Sequence, residues 1–219
     1  MVDIYNFAEE ETDKLIEEYQ HHLQTVQKEK DNIKIFLKQL RKEELDHMRQ
    51  QWEQAKEKGE ASGAPPKTIS PNRCAVLLNE HLTFILFDIE EGTRLAFYRQ
   101  DEGIYTQNYT YIKRVISWLE PSHNQRRAED VIFHLTNMVN VVPRTNEPHL
   151  IPVNNGVFNK ETKKLEPFTP DYVFTTKITT NYIEGAVQPT ISGWSFDNWL
   201  DEVACGDREV FTLLWQVIN

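Results

Sequence analysis

Cysteine is scarce in this sequence: Cys74 and Cys205 lie far apart, with no CxxC, CxxH or HxxxH near either. That spacing argues against both a disulfide framework and a zinc site. No run of about 18 or more apolar residues occurs, which excludes a membrane-spanning helix. The opening MVDIYNFAEEETDK has neither a basic region nor an apolar one, so no secretory signal is read there. Also missing are GxxxxGK followed by Ser or Thr, GxGxxG, GxSxG and HExxH, so phosphate-cradling loops, dinucleotide sites, serine nucleophile elbows and zinc hydrolases have no motif here. The chain reads as cytoplasmic and reduced, with no catalytic residue, metal or cofactor assigned and no membrane partner.

Positive charge is the next shortage. The chain carries 24 Lys+Arg against 34 Asp+Glu, a net of −10. Tight, indiscriminate nucleic-acid binding needs concentrated positive charge, and the whole chain does not supply it. The distribution is uneven. Residues 1–60 hold 10 basic and 15 acidic side chains, whereas residues 93–127 hold six basic (Arg94, Arg99, Lys113, Arg114, Arg126, Arg127) and three acidic. A basic segment sits inside an acidic chain.

Proline and glycine are absent from Phe7 to Lys58, where Glu, Lys, Gln and Leu predict helix. Leu15, Tyr19, Leu23, Val26, Ile33, Leu37 and Leu40 recur at the spacing of one helical stripe, an interaction surface that needs cover from this chain or another copy. The repeat lapses at Gln27–Asn32, which leaves one long helix and a helical hairpin both open. Gly59–Pro71 reads as a linker, rich in Gly, Pro and small polar residues. The expected organisation is therefore a charged helical segment over 1–58, a linker over 59–71 and a compact α+β domain over 72–219.

In that domain Leu82–Phe87 has strand length, and Arg94–Arg99 with Gly103–Gln107 reads as a hairpin across a short polar turn. Tyr111–Leu119 and Arg127–Val141 carry helical spacing. His149–Phe158 and Lys164–Phe168 flank a charged turn, with Asn155-Gly156 a tight turn or a bulge. Tyr172–Tyr182 is β-branched and aromatic, a strand by composition. Trp194–Asn219 predicts two helices broken near Cys205-Gly206-Asp207, with Asp207 capping the second. The fold class is α+β: β-hairpins flanked by short helices, ending in helices.

Chemistry is sparse by comparison. Glu90-Glu91, Glu9-Glu10-Glu11 and His21-His22 are adjacent pairs or runs that read as solvated faces, and His134 as a half-buried structural histidine. Residues 94–118 are better supplied. Arg94, Arg99, Lys113 and Arg114 alternate with aromatics that include Tyr98 and Tyr105, the mixture that neutralises phosphates and stacks on unpaired bases. Arg126 and Arg127 extend that set. The competing reading puts the aromatics in a core and the charges on its solvated back.

Two segments carry a resemblance. IPVNNGVFNKETKKLEPFTPDYVFTTKITTNY (Ile151–Tyr182) contains Asn155-Gly156, Thr162-Lys163, Leu165, Pro167-Phe168, Pro170, Tyr172 and Asn181-Tyr182 in sequence. FDNWLDEVACGDREVFTLLWQVIN (Phe196–Asn219) places Gly-Asp before an apolar helix. Together these resemble the pre-helicase N-terminal domain of phage- and plasmid-type, poxvirus-like primase–helicases of helicase superfamily three. The resemblance implies a replication role in a bacterial cell, encoded by a phage or mobile element, next to an ATPase that forms hexameric rings. The chain stops at Asn219, where that family continues into its Walker A strand. ATP and Mg are therefore expected only for an attached helicase domain, and no catalytic residue is carried over. The expected function is an accessory domain that helps DNA binding or loading, on single-stranded or forked DNA, and ring assembly. The alternative is a protein–protein module that recruits a primase, an initiator or a like subunit.

Overall fold

The computed structural model describes residues 32–90, 92–186 and 194–218. These residues form the α+β arrangement expected, with six helices and two antiparallel three-stranded sheets among them. Two compact units are present, Met1–Tyr182 and Ile183–Asn219.

In the first unit, α1 is helical without interruption over 32–57. Its Leu37 is fully buried, and Ile33, Leu40, Leu45 and Met48 pack against the same core. The described part of the expected stripe, Ile33, Leu37 and Leu40, is thus covered by this chain itself rather than offered outward. Leu15, Tyr19, Leu23 and Val26 lie outside the described residues, as does the lapse at Gln27–Asn32 except for Asn32.

Residues 60–70 connect α1 to a helix that sequence periodicity did not announce, α2 (Pro71–His81). Its start was nonetheless written in the chain: the Ser70 hydroxyl caps the Arg73 amide and Pro71 opens the first turn, where its missing N–H costs nothing. Cys74, Ala75, Leu77 and Leu78 form its buried face. Two charged contacts fix α1 here. Arg73 pairs in both arms with Glu44 at 2.8 Å, and Arg41 reaches the Glu120 carboxylate at 3.1 and 3.2 Å.

The first sheet runs β1 (Phe84–Ile85), β2 (Ala96–Arg99), β3 (Ile104–Thr106) in spatial order. The β2–β3 hairpin is the one the sequence predicts, with Tyr98 opposite Tyr105 and Arg99 opposite Ile104. Because strand side chains alternate, Phe84 and Phe97 face the helices α3 (Tyr109–Leu119) and α4 (Gln125–Met138). Ile85, Ala96, Tyr98 and Tyr105 face the other way and gather with Phe87 and Val173. Side-chain oxygens of Asn108 and Asn124 cap α3 and α4 by accepting from Tyr111 N and Arg127 N.

The second sheet is β4 (Leu150–Val153), β5 (Gly156–Asn159), β6 (Lys164–Glu166). Val153 pairs with Gly156, so Asn154-Asn155 form a two-residue turn and Asn155-Gly156 is no bulge. The segment 172–182 is the clear correction. It forms no strand but an irregular strap that bonds in turn to different partners. The Phe174 carbonyl accepts from Tyr105 N, Val173 exchanges with Thr145, Ile178 N donates to Pro152 O, and Thr180 O accepts from Asn154 N. β-branched composition describes an extended chain, and whether a ladder forms depends on one continuous neighbour, which this strap lacks.

The second unit contains α5 (Phe196–Val203) and α6 (Arg208–Ile218). The break falls at Cys205 and Gly206, both at positive φ, and Asp207 caps α6 by accepting from Glu209 N and Val210 N, as the sequence predicts. Leu200 and Ala204 are buried, and Phe196 packs on Trp199 and Trp215.

Candidate nucleic-acid interface

The eight side chains selected by sequence fall into two groups. Tyr98 and Tyr105 are 8% and 3% exposed, with ring centroids 5.1 Å apart in the second core cluster. Neither presents a free face for a base to stack on. The Tyr105 hydroxyl donates to the Pro170 carbonyl at 2.8 Å, and burial pushes its pKa up to about 12. Arg99 is also engaged internally. Its guanidinium grips Asp101 at 2.5 and 3.2 Å and Glu102 at 3.2 Å, and lies 5.2 Å from the Tyr111 ring centroid. Glu102 in turn pairs with Lys177 of the strap at 2.8 Å. Arg99 holds the hairpin turn and has no charge to spare for a phosphate.

Arg94, Arg114, Arg126 and Arg127 are exposed and Lys113 is half-buried. Arg94 lies over Tyr109 at 5.8 Å, at the start of α3. Lys113 follows Tyr109 by one helical turn, so the two share a face of α3. There Lys113 meets α4, donating to Glu129 at 3.0 Å, and Gln125 donates to the same carboxylate oxygen at 3.0 Å. At 100° per residue, Gln125 and Glu129 lie on the flank of α4 toward α3, Arg126 faces outward and Arg127 falls on the opposite flank. Arg94 and Lys113 therefore share one rim of α3 with Arg114 beside it, while Arg126 is on the outward face of α4 and Arg127 is turned to its other flank.

Between α3 and α4 lies a cleft of about 370 Å³, lined by Lys113, Ser117, His123, Asn124 and Gln125 over a floor of Ile116 and Ala128. The hydrogen bond from Gln125, and after it the one from Lys113, hold the Glu129 carboxyl below the usual carboxylate range. His123 bonds through Nε2 to the Ile69 carbonyl at 2.9 Å, while its Nδ1 is buried without a partner. Because the carbonyl only accepts, Nε2 carries a proton. Sequence reading passed over Ser117, His123, Asn124, Gln125 and Glu129. Only the cap, Asn124 ahead of a helical run, was a usable signal.

Glu120 was missed as well. Its carboxylate is fully buried and accepts from Ile69 N, Arg41, Ser122 N and Ser122 Oγ. Burial works against its charge, yet these hydrogen bonds outweigh burial and hold its pKa below the usual value. It joins α1, the 60–70 connection and the end of α3 at one point. Among the described residues, no group of three His, Cys, Asp or Glu is placed to hold a metal ion, and no helix is long and apolar enough to cross a membrane.

The first unit is thus an α+β module whose charges are sorted into an internal network and an external rim on α3 and α4. The chain belongs to the D5 N terminal like family, whose model matches residues 1–205. It is an N-terminal, pre-helicase domain of the primase–helicase type. A search of curated proteins matches none to this chain.

Proposed function

We propose that this domain holds a DNA strand beside a replicative helicase and supports assembly of the helicase ring. The observation that carries the reading is the set of exposed Arg94, Arg114 and Arg126 with half-buried Lys113, in a domain that belongs to a replication family. Exposed guanidinium and ammonium groups neutralise phosphates and release counterions on binding. Arg127 contributes from its own flank to the general field rather than to the rim. Arg99, Tyr98 and Tyr105 support the fold beneath, and their role is indirect. ATP and Mg belong in this proposal to a helicase domain, and the domain works in the cytoplasm of a bacterial cell.

The test is fluorescence anisotropy with a labelled single-stranded oligonucleotide and a duplex, across a salt series. Binding should weaken as salt rises, with the log–log slope falling by about 0.7 for each single-strand phosphate contact removed. Replacing Arg94, Arg114 and Arg126 together by Ala should lower both the affinity and that slope; wild-type binding by this variant sinks the assignment.

A second reading rests on the other unit. Trp199, Val203, Leu213 and Val217 are exposed on the α5–α6 pair. An apolar surface of this kind suits recruitment of a primase, an initiator or a like subunit. Such docking would be insensitive to salt, and sedimentation of the chain with and without a W199A/L213A double change would detect self-association through it.

A further inference from the structure

The cleft between α3 and α4 has a property that a simple basic rim lacks: its two principal donors are already occupied by a carboxylate of the same chain. Lys113 and Gln125 both donate to one oxygen of Glu129. Glu129 is exposed at 52% of its side chain and Lys113 is half-buried at 33%, so water reaches both partners. Contacts of that kind are weak and easily exchanged, because water screens the charges and the long side chains lose freedom when held. A phosphodiester oxygen of a DNA strand offers Lys113 and Gln125 an acceptor of the same geometry and the same unit charge as the carboxylate.

We propose that the α3–α4 cleft seats one nucleotide unit of a DNA strand, and that Glu129 is a built-in competitor that must leave Lys113 and Gln125 before the phosphate can bind. This rests on the DNA-holding reading above and assigns it a position and a control element. Ser117 and Asn124 add short polar groups to the lining, and a cleft of about 370 Å³ fits a nucleotide-sized fragment rather than a bare ion alone. Competition also follows from the sign of the site. With Glu129 in place the Lys113 charge is partnered, so the cleft is a poor anion site; with Glu129 displaced, the Lys113 ammonium is released to an incoming anion.

The experiment measures anisotropy of a labelled oligothymidylate with the full chain and four variants: E129Q, K113A, K113A/E129Q and D130N. Asp130 is exposed on the same helix and has the same charge, so D130N reports the effect of removing a carboxylate from the general field. E129Q should tighten binding about threefold, the scale of an exposed pair. D130N should do so distinctly less. In the K113A background the E129Q gain should fall to the D130N level, since there is then no ammonium to release and only the general field changes. Equal gains from E129Q and D130N, or an E129Q gain that stays undiminished in K113A, would overturn the competitor while leaving DNA binding intact. Absence of binding by wild type and by E129Q alike would overturn the DNA-holding reading and this inference with it.

Discussion

In the helical block, α1 to α4 close over fully buried side chains such as Leu37, Ile69, Leu78, Ile112, Ile116 and Leu135, with one carboxylate, Glu120, sealed among them. The second sheet and its strap are built the other way. Leu150, Val153 and Val157 supply a thin apolar layer, and the joining is done by backbone and asparagine contacts across long sequence separations. Apolar burial contributes in proportion to area and is insensitive to small displacements. Half-exposed hydrogen bonds are individually worth little, because water is a ready substitute. The two regions should therefore fail differently: the block as one cooperative unit, the strap by local opening.

The largest effect is expected from the fully buried carboxylate inside the block. Glu120→Ala removes the acceptor for the Ile69 amide, Arg41 and Ser122 at once and should destabilise by about 3 kcal/mol, the scale for breaking a buried, hydrogen-bonded charge pair. Arg41→Ala should cost less, because Arg41 is 29% exposed and its loss leaves three donors on the carboxylate. The sign with pH follows from the lowered pKa of Glu120. Its contribution is complete above the unfolded-state value, near about 4.3, and is lost as pH falls through the lower folded value. Urea titrations of wild type and Glu120→Gln should therefore converge as the pH drops below about 4. A gap that widens in acid would show that Glu120 is not the ionised hub described.

Why one region was legible in sequence and the other was not follows from the same contrast. The β2–β3 hairpin, α3, α4 and the α5–α6 break all announce themselves through local pattern: alternating aromatics, helical spacing, and Asp207 at a cap. Ser70-Pro71 announced α2 equally well but sat at the end of a stretch whose composition read as linker. Tyr172–Tyr182 has strand composition, yet its partners are Tyr105, Thr145, Pro152 and Asn154, and no local pattern encodes a neighbour that changes every few residues. Glu120 is invisible for a related reason. A carboxylate at a helix end reads as solvated until Arg41 and Ile69, 79 and 51 residues away, are seen to close over it. The candidate interface divides along the same line. Arginines were singled out by residue type, whereas only the fold shows that Arg99 is paired with Asp101 and that Tyr98 and Tyr105 are buried.

A smaller effect is expected where the strap meets the first sheet. Gly103 has a φ of +66°, and a Cβ placed there would lie 2.0 Å from Cδ1 of the Phe168 ring. Gly103→Ala combines a left-handed backbone with a displaced aromatic ring, and should cost about 2 kcal/mol. The change should also free Lys177, which reaches Glu102 under that ring, so a thermal melt and hydrogen exchange at Tyr105 N should both report it. An unchanged melting temperature would mean that Phe168 moves aside without loss and that the strap is not seated on the hairpin turn.

The smallest global effect, and the sharpest separation of the two regions, is expected at Asn155. Its side chain accepts from Tyr182 N at 2.8 Å and donates to Tyr182 O at 2.9 Å, fastening the end of the strap so that Tyr182 stacks on Phe158 with centroids 4.4 Å apart. Asn155→Ala should cost about 1 kcal/mol or less, as both bonds are exposed. It should nevertheless raise amide exchange at Tyr182 and Ile178 while leaving Leu78 and Leu135 protected, because the block does not depend on these contacts. The thiols give an independent check on the block. Burial pushes the Cys74 pKa up to about 12, and Cys205 is exposed. In native Asn155→Ala an alkylating reagent should reach Cys205 and leave Cys74 untouched. Rapid labelling of Cys74 would mean that loosening the strap opens the helical block too, and the two regions would then be one cooperative unit.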